Sequence, residues 1–187
     1  MKNYFSKNYN KLTYPKAIAE TKGLRNAQLG AIHSISSFFT LNKSKAAIVV
    51  MPTGSGKTAV LMMTPYVLES NKVLIITPSK LVRSQVADEY STLKTLIKTK
   101  VFPKNIKRPK VLEMKKLYKE EYDSLLENAD VIVATPQVGW SLSQEEKIKN
   151  IFDLVLIDEA HHVPAKTWTE ILENINEAKH VLFTATP

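Results

Sequence analysis

Short apolar runs rich in β-branched residues recur at 46–51, 73–77, 131–135, 154–158 and 181–184, and each stops at a polar or turn-forming residue. Runs this short, without polar alternation, suit strands covered on both faces rather than buried helices. Helical patterns lie between them. Leu29, Ile32, Ile35 and Phe39 recur at three- and four-residue spacing, and Ser79 stands where it can cap a helix running to about Leu96. Further helical stretches are expected around 145–149 and 165–174, and a weaker strand at 110–112. This alternation predicts an α/β domain with a mostly parallel sheet, helices on both faces and right-handed crossovers. Ligands in such sheets bind beyond the carboxyl ends of the strands, where the polar motifs of this chain fall.

The first motif is Thr53-Gly54-Ser55-Gly56-Lys57-Thr58, between a predicted strand and a predicted helix. Gly54 and Gly56 allow backbone angles that turn several N–H groups toward one anion. The helix N-terminus adds partial positive charge. Lys57 would reach the β- and γ-phosphates of a nucleotide, and Thr58 would offer its hydroxyl to Mg²⁺. The general phosphate-loop pattern has glycine where this chain has Met51, but the anion-binding turn itself runs from Gly54 to Thr58. A glycine turn before a surface lysine is the plainer alternative, and it leaves the strand–loop–helix context unexplained.

The second motif, Asp158-Glu159-Ala160-His161, puts two adjacent carboxylates at the end of a buried strand. That ending is costly unless a cation meets it, and a Mg²⁺–phosphate unit would. Asp158 is the metal-side carboxylate, acting through water, and Glu159 the candidate for polarising an attacking water. Lys57, Asp158 and Glu159 are therefore the candidate catalytic residues. His161 and His162 are adjacent and point different ways on any regular element, and His33 and His180 are isolated, so a histidine metal site is not expected. His161 is better suited to polar bridging between this site and a neighbouring strand loop.

In this order the motifs resemble those of superfamily 2 helicases and translocases with a DEAH-type second motif. Asp158 to His162 and Phe183-Thr184-Ala185-Thr186-Pro187 are most similar to the branch that includes type III restriction subunits and related DNA translocases. The resemblance runs from about residue 24 to 187 and implies an N-terminal RecA-like phosphate-loop NTPase domain. Leu24-Arg25-Asn26-Ala27-Gln28 resembles the adenine-reading motif of the family, which implies that Arg25 and Gln28 read or position the base. Thr77, Pro78, Ser79 and Arg83, and Thr135, Pro136 and Gln137, fall where the family grips one nucleic-acid strand. Hydroxyls and free N–H groups at strand ends and helix starts also suit phosphate oxygens on physical grounds. Thr184 and Thr186, with His161, fall where the family couples the ATP site to nucleic acid. The resemblance implies ATP and Mg²⁺ as cofactors, nucleic acid as partner with DNA favoured over RNA, and a second RecA-like domain, in the same or another chain, that carries an arginine finger. Without that finger, worth about 10³–10⁵ in rate in related enzymes, the chain is expected to hydrolyse ATP slowly. A phosphate-loop NTPase that is not a motor, and a catalytically silent nucleotide-binding fragment, are the alternatives.

Composition bounds the remainder. There is no cysteine, no apolar h-region at the N-terminus and no apolar run of membrane-spanning length, so a soluble cytoplasmic protein without a membrane partner is expected. The net charge of +8 favours a polyanionic partner. Residues 1–22 are a basic, tyrosine-bearing stretch, either a loosely ordered arm or a short cap on the domain at 23–187. Residues 94–119 hold ten basic side chains and one acid, Glu113. They form either a backbone-tracking patch or a solvated loop and helix face, and the solvated face is the simpler reading because the segment precedes the Thr135 loop.

Overall fold

The computed structural model describes residues 3–19, 21–41, 46–160 and 165–186. In chain order the elements are α1 (Tyr4–Tyr9), α2 (Asn26–Leu41), β1 (Ala46–Val50), α3 (Lys57–Val67), β2 (Val73–Ile76), α4 (Lys80–Thr92), α5 (Lys94–Lys98) and β3 (Val111–Glu113). They continue with α6 (Asp123–Asn128), β4 (Val131–Ala134), α7 (Pro136–Ser143), α8 (Glu146–Lys149), β5 (Leu154–Ile157), α9 (Ala165–Asn174) and β6 (Lys179–Thr184). The described strands form one sheet in the order β1-β6-β5-β2-β4-β3, with every neighbouring pair parallel.

Successive strand side chains point to opposite faces, and the burial pattern follows that period. Val73, Ile75, Val131, Val133, Leu154 and Leu156 pack under Met62, Tyr66, Val86 and Tyr90 from α3 and α4. Leu74, Ile76, Ile132, Val155 and Ile157 pack on the other side under Val138, Leu142 and Ile171 from α7 and α9. Each fully buried side chain of this kind stabilises the fold by roughly 1.5–3 kcal/mol. β2, β4 and β5 are buried at every position, as expected of central parallel strands.

β1 departs from the expectation of cover on both faces. It is an edge strand, and Ile48 and Val50 are 70% and 46% exposed. The helix expected from Ser79 to Leu96 is broken. α4 ends at Thr92, and Leu93 takes a left-handed cap with φ 54° while burying its side chain in the core. Pro136 ends β4 and also starts α7 as its first residue, where its missing N–H costs nothing.

Much of the basic N-terminal stretch packs as a cap. Asn3 Oδ1 accepts from Ser6 N at 2.9 Å and starts α1. Phe5 is fully buried, edge-on to Tyr66 at a centroid distance of 4.9 Å. Tyr4 Oη lies 3.1 Å from Tyr66 Oη and donates to Lys107 O at 2.7 Å.

Candidate nucleotide-binding site

β1 delivers the chain to the carboxyl rim of the sheet. Met51 N donates to Thr184 O at 2.9 Å, prolonging the β1–β6 pairing by one residue. The loop then turns back, with Ser55 N donating to Pro52 O at 3.1 Å. Gly54 and Gly56 have φ of 79° and 90°, a region that favours glycine, and α3 starts at Lys57. A Cβ on Gly56 would stand 2.2 Å from Gln28 Nε2, so a side chain there would push the end of Gln28 off the loop.

Arg25 and Gln28 meet the loop itself. The Arg25 guanidinium donates to Gly54 O. Gln28 Nε2 donates to Gly56 O at 2.9 Å, and its Oε1 accepts from Arg25 N at 2.8 Å. The pair clasps two carbonyls of the turn, a role the sequence did not announce. The family resemblance implied base contact, and nothing local reveals a partner 28 residues downstream.

β5 brings the carboxylates to the same rim. Asp158 N donates to Ile76 O at 2.8 Å, continuing the β5–β2 pairing. Lys57 Nζ lies 3.3 Å from Asp158 Oδ1 and in contact with Glu159 Oε1. Burial pushes the Asp158 carboxyl above the usual carboxylate range, and the Lys57 ammonium beside it only partly offsets this. Glu159 sits at φ 52°, a strained angle for a residue with a side chain. Asp158 Oδ1 and Ser55 Oγ are buried without a hydrogen bond among the described residues. Thr58 is exposed beside Asp158 on a cleft that runs along α4. Thr53 is exposed in the loop.

The second group of candidates lies on two neighbouring loops of this rim, because β2 pairs directly with β4. Ser79 and Gln137 are exposed, and Pro78 is half-buried. Ser79 Oγ caps α4 by accepting from Val82 N at 3.3 Å. Thr77, Thr135 and Pro136 are buried, and Thr77 N donates to Ala134 O at 3.0 Å to tie the two loops together. Arg83 is also buried, and its Nε donates to Glu113 Oε1 at 2.9 Å. Ser84 Oγ donates to the same oxygen at 2.6 Å, so Glu113 fixes α4 over β3 and Arg83 is not presented at the open rim. Thr184 stands between the two motif strands, since β6 pairs with both β1 and β5, and its hydroxyl donates to Thr186 O at 2.8 Å. His161 and His162 lie outside the described residues.

The description "Type III restriction enzyme, res subunit" matches residues 21–187. This chain belongs to that family. The res-subunit domain is also similar to solved helicase structures. The UvsW helicase from bacteriophage T4 matches at 19% identity and TM-score 0.62, over 97% of this chain and 58% of that one. A hypothetical ATP-dependent RNA helicase from Sulfolobus tokodaii matches at 25% and 0.65, over 89% and 47%. The Sulfolobus solfataricus SWI2/SNF2 ATPase core in complex with dsDNA matches at 22% and 0.56, over 94% and 34%. The res-subunit domain thus has the RecA-like fold of superfamily 2 motor domains, and it spans between about a third and three-fifths of these longer chains. No curated protein sequence matches it. Among the described residues, no helix is long and apolar enough to cross a membrane.

Proposed function

We propose that the chain is the ATP-hydrolysing motor domain of a nucleic-acid-dependent ATPase with a DEAH-type second motif, working in the cytoplasm with a second RecA-like domain. The observation that carries the reading is the meeting of Lys57 with Asp158 and Glu159 beside a loop whose two glycines have positive φ. The buried Ser55 Oγ, without a hydrogen bond, and the buried Asp158 Oδ1, met by Lys57 at 3.3 Å, are polar atoms that a phosphate and a hydrated cation would satisfy. Asp158, through water, and Thr58 offer the hard oxygen donors that Mg²⁺ prefers. Magnesium, when bound, would neutralise charge on the terminal phosphates.

The amides between Gly54 and Thr58 would then cradle phosphate oxygens, with Thr53 at the mouth of the loop. Lys57 would exchange its carboxylate partners for the β- and γ-phosphates. That exchange would free Glu159 to orient the attacking water and accept its proton. Ser79 and Gln137, on loops held together by Thr77, would grip a nucleic-acid backbone, and Thr184 and Thr186 would link that grip to the ATP site. DNA is favoured over RNA by the resemblance to restriction subunits. A second reading, a catalytically silent nucleotide-binding domain, is favoured by the contact between Glu159 and Lys57, which in this conformation engages the candidate base.

Single-turnover hydrolysis separates the two. The chain should bind a fluorescent ATP analogue in a magnesium-dependent way and hydrolyse ATP slowly, faster with an oligonucleotide. Glu159→Gln should keep the binding and lose roughly 10²–10⁴ in hydrolysis rate. Equal rates for the variant and the parent chain would establish the silent reading.

A further inference from the structure

Two strongly basic stretches, 1–19 and 94–112, hold no acid. Residues 1–19 carry four lysines, and residues 94–112 carry six lysines and Arg108. These eleven basic side chains exceed the net charge of +8, so the rest of the chain is net acidic. The fold brings the two stretches together. Thr13 N donates to Val101 O at 3.0 Å, and Thr13 Oγ1 donates to Lys100 O at 2.8 Å. Tyr4 Oη donates to Lys107 O at 2.7 Å.

The joined surface lies at the amino rim of the sheet, the end away from the phosphate loop. α3 runs from Lys57 at the loop to Val67, an 11-residue helix of about 16 Å. Just beyond it, Ser6 Oγ donates to Glu69 O at 3.3 Å. Lys110 N donates to Asp130 Oδ2 at 2.7 Å, where β3 and β4 begin. An open groove of about 650 Å³ separates the two stretches, with Asn10, Lys11, Thr13, Lys100, Phe102 and Lys104 among its walls.

Lys7, Lys11, Lys100, Lys104 and Lys107 are exposed, and none forms an ion pair among the described residues. Lys94, by contrast, is neutralised by Asp88 at 2.7 Å and Glu89 at 3.6 Å. Arg108 spends its guanidinium on the carbonyls of Ile106 and Lys104, which holds the loop in shape. Glu69 and Asp130 mark the borders of the acid-free area.

We propose that this groove is a second contact surface for the phosphate backbone of a nucleic acid, on the rim opposite the β2 and β4 loops. The proposal rests on the motor reading. Uncompensated lysines gathered around one groove raise the local potential and draw a polyanion. The side chains on offer, lysine, threonine and asparagine, are those that bond phosphate oxygens without reading bases. The groove lacks the Trp and Arg anchors that dominate protein–protein interfaces, which favours nucleic acid over an acidic protein. A contact there would keep a flanking segment in place while the strand-end loops change their grip.

The test uses the full chain with Lys11→Glu, Lys100→Glu and Lys104→Glu together, and a milder set with glutamine at the same positions. Anisotropy of a labelled duplex is read across a potassium chloride series, and fluorescent-ATP binding is read in parallel. Each lost phosphate contact should lower the slope of log K against log salt by about 0.9, so the glutamate set should lower it by up to about 3. The glutamine set should shift it in the same direction, with nucleotide binding unchanged in both. An unchanged slope in both sets overturns the proposal. So does a parent chain that binds poly-glutamate more tightly than duplex. A reduced slope in a chain that fails to bind nucleotide supports this surface and counts only against the nucleotide reading.

Discussion

Lys57 and Lys72 sit at opposite rims of the same sheet and are held in opposite ways. Lys72 precedes β2 at the amino rim and is 8% exposed. Its ammonium donates to three main-chain carbonyls, Leu126, Glu127 at 2.8 Å and Ala129 at 2.7 Å. Every donor is used on fixed dipoles, and burial lowers its pKa. Lys57, at the carboxyl rim, faces two carboxylates, one of which keeps a buried oxygen without a hydrogen bond. The first arrangement closes the C-terminal end of α6. The second leaves lone pairs in reserve for an incoming group. A buried lysine is thus part of the scaffold when its donors end on carbonyls, and part of a site when they end on mobile charge.

Three substitutions would break or sharpen that contrast. Lys57→Ala should reduce ATP turnover by roughly 10²–10³-fold, the cost of losing one charge-stabilising donor, with the circular dichroism spectrum unchanged. Steady-state phosphate release measures it, and parent-level turnover would remove Lys57 from the site. Lys72→Met should leave nucleotide affinity intact but cost about 1–3 kcal/mol in urea unfolding, because three carbonyls lose their donor. If Lys72→Met instead silenced nucleotide binding while leaving stability alone, the contrast would be reversed.

Asp158→Asn should have the smallest effect on the fold and the clearest sign. The native carboxyl is raised by burial, so the stability it contributes is present below the pKa of the unfolded chain and lost as pH rises through the folded value. At neutral pH without nucleotide, the uncharged asparagine should raise the thermal midpoint slightly. The gap should close in acid, where the aspartate is protonated, and hydrolysis should fall. A midpoint lower than the parent's at pH 7 would mean that the Lys57 pairing outweighs burial.

The central strands were legible because burial on both faces leaves them no polar positions: β2, β4 and β5 begin where the apolar runs begin and end within a residue of where they end. β1 has the same composition, yet it lies at the edge, because pairing order depends on long-range packing and not on a strand's own residues. The break at Leu93 was hidden for a similar reason. A leucine is a good helix former, and only its burial in the finished core accounts for its left-handed angle. At the site, Lys57 and the two carboxylates could be paired from motif chemistry. The clasp of Arg25 and Gln28 on the loop could not, and neither could the burial of Arg83 against Glu113. Both depend on partners about 30 residues away in sequence.

That clasp bears on how the chain assembles. The turn from Gly54 to Gly56 is not a self-sufficient local motif, since two of its carbonyls are capped from the start of α2. Its shape is therefore held partly by the docking of that helix, so a nucleotide bound in the turn is coupled to the segment that precedes it. By mass action the occupant also holds that segment in place, and stability near α2 should rise with ligand concentration.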